Sequence, residues 1–115
     1  MTRGAFGGYG GFGGFGVIHT TNGRQPWSHW SSFVEQPGTV LDAIRAGSGP
    51  VLISLNGKTR FQVRRADRKP PGADVVASED ISRKRRDMRY NLLAGEVCAI
   101  TRYGTIEAVI EGVGS

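Results

Sequence analysis

Residues Ala94 to Gly112 read "AGEVCAITRYGTIEAVIEG", and Ala46 to Arg64 read "AGSGPVLISLNGKTRFQVR". Each stretch has Ala-Gly, an apolar run, a short turn ending in Gly, and a second run that alternates apolar with polar. The Ala-Gly reads as a helix stop, because glycine accepts the left-handed conformation that ends a helix. Asn56–Gly57 is a strong two-residue hairpin signal, and Tyr103–Gly104 occupies the matching place. One such stretch predicts a hairpin. Two in a chain of 115 residues predict a repeated unit.

Working outward strengthens the parallel. "PGTVLDAIRAG" reads as a helix, with Pro37 near its start and Gly47 as its stop. Val40, Leu41 and Ile44 fall on one face of it. "SEDISRKRRDMRYNLLAG" reads as the corresponding helix, with Ser78 as N-cap and acidic residues in its first turn. "ADVVAS" reads as a strand before the second helix, and "PWSHWSSF" as a short edge strand before the first. Phe33 matches Ile81, Val40 matches Met88, Ile44 matches Leu92 and Gly47 matches Gly95, all at an offset of 48. Gly57 then matches Gly104 and Val63 matches Ile110 at an offset of 47. In the return strands Thr59, Phe61 and Val63 should face in, as should Ile106, Ala108 and Ile110; Glu107 and Glu111 should face out.

These matches predict an α+β fold from a duplicated β-α-β-β unit, with a shared antiparallel-rich sheet and two helices. A unit of this size cannot bury its own sheet face, so two must share one core. The units are expected at 26–66 and 73–115, joined by a Pro-containing linker at 67–72.

Residues 1–25 are expected to be a flexible arm. Eight of the 18 glycines fall in the first 16 residues, "MTRGAFGGYGGFGGFG". So much glycine loses too much entropy on ordering to form a core alone. Phe6, Tyr9, Phe12 and Phe15 make this arm a candidate partner-binding segment. It is no dinucleotide fingerprint, because no strand precedes it and no amphipathic helix follows.

Fifteen Lys and Arg against ten Asp and Glu give a net charge of +5, which favours a polyanion partner. The lone Cys98 permits no intrachain disulfide and reads as an inert buried thiol. With neither a signal peptide nor a membrane-length apolar run, a cytoplasmic location is expected. His19 and His29 with Cys98 make no metal site, and "NGKT" at Asn56 to Thr59 lacks phosphate-loop spacing. No nucleophile is paired with a base, so neither an enzyme nor a cofactor is expected.

The sharpest charged feature is Arg83, Lys84, Arg85 and Arg86, followed by Arg89. Cations early in a helix oppose its dipole, so helix stability does not explain them, whereas phosphates would relieve the conflict. These five are the candidate DNA-binding residues. Arg64, Arg65, Arg68 and Lys69 are candidate auxiliary phosphate contacts. Arg60 and Arg64 align with Glu107 and Glu111, so ion pairs across the units or between chains are expected.

"DISRKRRDMRYNLLAGEVCAITRYGTIEAVI" resembles the Phd/YefM antitoxin family, in a helix ending Ala94-Gly95-Glu96 and the strands Val97 to Gly104 and Thr105 to Ile110. "FVEQPGTVLDAIRAGSGPVLISLNGKTRFQVR" resembles the same unit in a divergent form. The resemblance implies homo-oligomerisation, binding of double-stranded operator DNA, and autorepression of an antitoxin-like operon. It also implies a toxin as a second partner. The tail that neutralises toxin in such proteins is not expected here, since Ser115 lies three residues beyond the second hairpin. The competing expectation is a protein-binding antitoxin or phage-type inhibitor, acting through the sheet edge or the Gly/aromatic arm.

Overall fold

The computed structural model describes residues 18–20 and 25–113. Within them the chain runs β1 (Trp27–His29), α1 (Trp30–Glu35), α2 (Pro37–Arg45), β2 (Val51–Leu55), β3 (Lys58–Arg65), β4 (Asp74–Ala77), α3 (Ile81–Leu93), β5 (Cys98–Arg102) and β6 (Thr105–Gly112). The fold is α+β. Six strands form one mixed sheet in the order β1-β2-β3-β6-β5-β4. β1 and β2 run parallel, as do β4 and β5, while the three inner pairings are antiparallel.

The sheet order reads the same from either edge, and its details repeat. At the centre Val63 of β3 lies opposite Ile110 of β6, the two positions matched in the sequence. The β2–β3 hairpin shifts register between Ile53 and Ser54, and the β5–β6 hairpin between Ile100 and Thr101. Both turns need two residues at positive φ: Asn56 and Gly57 at 55° and 82°, Tyr103 and Gly104 at 56° and 79°. Both helix stops are the same left-handed glycine cap. Gly47 N–H donates to the Ile44 carbonyl at 3.0 Å and Ser48 N–H to Ala43 at 3.1 Å. Gly95 N–H donates to Leu92 at 3.1 Å and Glu96 N–H to Asn91 at 3.0 Å.

The core lies between the sheet and the helices. Phe33, Val34, Val40 and Leu41 from α1 and α2, and Ile81, Met88 and Leu92 from α3, meet Val51, Ile53, Phe61, Val63, Ile100, Ala108 and Ile110 of the sheet. Trp30 adds a ring 5.4 Å from that of Phe61. By alternation, Trp27, His29, Leu52, Gln62, Arg64 and Glu111 fall on the opposite face of the sheet.

Three expectations need correction. The described residues hold three helices where two were expected: α2 starts at Pro37 as read, and α1 precedes it, ending at Gln36 (φ −137°, ψ 62°). Proline disfavours helical geometry at the residue before it, and Pro37 follows. The strand expected over "PWSHWSSF" stops at His29, and Trp30 onward is helical. Ser78 makes no capping hydrogen bond; Ser78–Asp80 form a 3-10 turn leading into α3.

A fourth correction concerns Glu107. It is the extra residue of the β5–β6 bulge, since Ile100 pairs with Ala108 and Thr101 with Ile106. The bulge turns Glu107 out of simple alternation. Its carboxylate takes a hydrogen bond from Arg45 of α2 and lies 3.0 Å from Arg102, which also reaches Asp42 of α2 at 2.8 Å. This network ties α2 to the hairpin of the other half. Burial favours loss of the Arg102 proton, but the bonds to Asp42 and Glu107 outweigh it and hold the guanidinium above its ordinary range.

Two outcomes are expected from this packing. Ile110→Ala should lower the unfolding free energy by about 2–5 kcal/mol in urea titrations, against about 0.5 or less for Leu93→Ala on the exposed side of α3. Tyr103→Asn should raise the melting midpoint modestly, because asparagine tolerates the left-handed turn position better than tyrosine. An unchanged or lower midpoint would mean that Tyr103 makes a compensating contact.

Candidate nucleic-acid interface

The five cations Arg83, Lys84, Arg85, Arg86 and Arg89 all lie on α3 and all are exposed. The helix buries one stripe, Ile81, Met88 and Leu92, against the sheet. At 3.6 residues per turn, Arg83 and Arg86 then point to solvent on the opposite side. Arg85 and Arg89 flank the stripe on one side, and Lys84 on the other. The five therefore wrap the helix.

Two of the five are partly neutralised. Arg83 reaches Asp80 at 2.7 Å, one turn back. That hydrogen bond, helped by the charges of Arg83 and Lys84, holds the Asp80 carboxyl below its ordinary range against the opposing effect of desolvation. Arg85 reaches Glu35 of α1 at 2.8 Å. Lys84, Arg86 and Arg89 have no ion-pair partner among the described residues. Arg85, Arg86 and Arg89 form one wall of a shallow depression of about 300 Å³, floored by Trp30, Ser31 and Val34. The depression puts guanidinium groups beside the indole of Trp30, the side chain of Val34 and the hydroxyl of Ser31.

The auxiliary residues do not form one set with this cluster. Arg64 follows buried Val63 in β3, so its side chain leaves the sheet on the face away from the helices. There its Nε donates to Glu111 at 2.8 Å, and Gln62 donates to the same carboxylate at 3.0 Å. The Arg64–Glu111 pair expected across the halves is thus formed within one chain. The Arg60–Glu107 pair is not, because the antiparallel register puts Arg60 beside Val113 and Glu107 beside Ala66, at opposite ends of the seam. Arg65, Arg68 and Lys69 are exposed at the end of β3 and in the loop after it.

Trp30 is buried, whereas Trp27 is half-buried and stacks on His19 at 4.4 Å. Burial first, and the neighbouring His29 second, push the His19 imidazole below its ordinary pKa. Cys98 is buried, and desolvation above all pushes its thiol up to about 11, which keeps it protonated. The candidate arm residues Phe6, Tyr9, Phe12 and Phe15 lie outside the described residues. No helix among the described residues is long and apolar enough to cross a membrane.

Sequence reasoning missed the partners that shape this surface. Glu35 carries no local signal as the ion-pair partner of Arg85, which is 50 residues away in sequence. A second cavity, of about 220 Å³, lies between α3 and the β4–β5 edge, with Lys84, Asp87 and Asn91 on its wall. Its only local signal is Asp87 and Asn91, one turn apart beside Met88 and Leu92.

No family model, curated protein or solved structure matches the chain.

The Arg64–Glu111 pair carries a pH expectation. Burial tends to raise the Glu111 pKa, but the hydrogen bonds from Arg64 and Gln62 outweigh it and leave it below its ordinary 4.5. A depressed folded-state pKa contributes stability above the unfolded value and loses it as pH falls through the folded value. The melting midpoint of the parent chain should therefore fall faster below about pH 4.5 than that of Glu111→Gln. Parallel acid limbs would show that the pair contributes nothing there.

Proposed function

We propose that this chain is a small DNA-binding transcriptional regulator, an antitoxin-like autorepressor, built from two divergent copies of one β-α-β-β unit. The duplication is supported by the central Val63–Ile110 pairing, the bulges at matched positions, and the identical turns and helix caps. The likeness to the Phd/YefM family rests on the residues quoted above.

One observation carries the functional reading: the exposed cations of α3. Arg83, Lys84, Arg85, Arg86 and Arg89 stand within two turns of helix, and the described carboxylates engage only Arg83 and Arg85. Arg83 and Lys84 lie in the first turn of α3, where the helix dipole is unfavourable to them. Phosphate oxygens would satisfy both charge and hydrogen-bond donors. Lys84, Arg86 and Arg89 supply phosphate contacts, which set orientation, and Arg86 beside the depression is placed to probe a groove.

The matching stretch of the first half, Glu35-Gln36-Pro37-Gly38, has no cation. Each chain therefore offers one basic surface, and an operator with two half-sites needs two chains.

Fluorescence anisotropy on the chain's own upstream DNA, against scrambled DNA, tests this reading. Binding should prefer the upstream sequence and weaken with salt. Arg86→Ala combined with Arg89→Ala should reduce the slope of log K against log salt by about 2. Arg85→Ala alone should do less, because Glu35 already holds that guanidinium. Equal affinity for both DNAs, with the double variant unchanged, would reject the proposal.

A further inference from the structure

The two outer edges of the sheet differ. Beside β1, the chain's own residues add a short stretch of strand. His19 and Trp27 form an antiparallel bridge, with His19 N–H donating to Trp27 at 2.7 Å and Trp27 N–H to His19 at 3.0 Å. Alternation then turns Ile18 to the helix side, where it packs against the core. Beside β4, the matching edge, no strand is added among the described residues.

Val75 holds in β4 the place that Trp27 holds in β1: Trp27 pairs with Leu52 and Val75 with Ala99. Asp74 N–H donates inward to the Val97 carbonyl at 3.0 Å. Backbone groups alternate along a strand, so the N–H and carbonyl of Val75 point outward, unpaired within the sheet. Its side chain is 50% exposed.

A cavity of about 220 Å³ opens beside this edge, on the side where Ile18 sits in the first half. It is smaller than the roughly 300–1,000 Å³ of a small-molecule site and suits a single side chain. Its apolar lining is Val76, Met88, Leu92 and Cys98. Asp74, Asp87 and Glu96 stand around it against one cation, Lys84. None of these three carboxylates joins an ion pair among the described residues. On a chain of net charge +5, this patch is locally acidic.

We propose that β4 is a docking edge for an extended, basic peptide segment of another protein. The segment pairs antiparallel at Val75, as residue 19 pairs at Trp27. One aliphatic side chain enters the cavity, taking the place that Ile18 takes in the first half. A Lys or Arg two residues along, on the same side, meets Asp74, Asp87 and Glu96. Backbone pairing supplies affinity, and the cavity and its carboxylates supply the choice of sequence. This site shares Lys84 of α3 with the surface proposed for DNA but does not rest on that proposal.

The probe is a fluorescein-labelled peptide of about eight residues, alternating threonine with valine around one isoleucine, with a lysine two positions after the isoleucine. A second peptide carries glutamate in place of the lysine. Titrated with the full chain, the lysine peptide should bind saturably and about tenfold more tightly than its glutamate twin. Val75→Pro removes the outward N–H at an edge position that tolerates proline, and should abolish binding while the far-UV circular dichroism spectrum is kept. Asp87→Lys with Glu96→Lys keeps the edge intact and should reverse the preference between the two peptides. No saturable binding, or unchanged preference in the charge-reversed variant, would overturn the proposal. Self-association of the free chain that Val75→Pro abolishes would also overturn it, by assigning the edge to a second copy.

Discussion

The antiparallel pairing of β3 with β6 holds the two halves in one sheet. At its centre Val63 lies opposite Ile110, both fully buried, flanked by the Gln62–Glu111 and Arg64–Val109 pairs. Each half alone would present an open inner strand and a sheet face too small to exclude water. Joined there, they place α1, α2 and α3 over one continuous core. The apolar contacts of that core drive the joining; the ion pairs specify how it is made. Arg64–Glu111 locks the seam on the open face, and the Arg102 network locks α2 over the hairpin of the other half.

The common frame carries different chemistry at matched places. The second helix position has a run of cations where the first has Glu35, Gln36 and the break before Pro37. Glu35 then reaches across to Arg85, so the first half tempers the charge of the second. The edges diverge in the same way. Trp27 is covered by His19, whereas Val75 is left exposed beside an acidic cavity. The matched scaffolds thus carry unmatched surfaces, with the exposed cations of α3 and the open β4 edge both in the second half.

Local features were legible because short windows encode them. Gly47 and Gly95 end helices through left-handed geometry, and Asn56–Gly57 and Tyr103–Gly104 turn hairpins for the same reason. Apolar alternation identified Phe61, Val63, Ala108 and Ile110 as inward residues, and all four are buried. It failed at Glu107 and at Thr59, which is exposed beside Ser54 and His29 on the open face, because a bulge is one extra residue that no period-two pattern reveals. Pro37 was legible as a helix start, and α2 begins there; the helix before it, Trp30–Glu35, was not, because its aromatic residues suit a strand equally well.

Local sequence sets where helices stop, where hairpins turn, which residues are apolar partners at matched offsets, and that a dense run of cations lies early in one helix. These follow from backbone sterics and side-chain chemistry within a few residues. Contacts between distant residues set the strand order, the choice of Glu35 for Arg85 and of Asp42 for Arg102, the separation of Arg64 from the α3 cluster, and the exposed β4 edge beside its cavity. Each joins residues far apart in the chain, and depends on how the two halves close over their shared core.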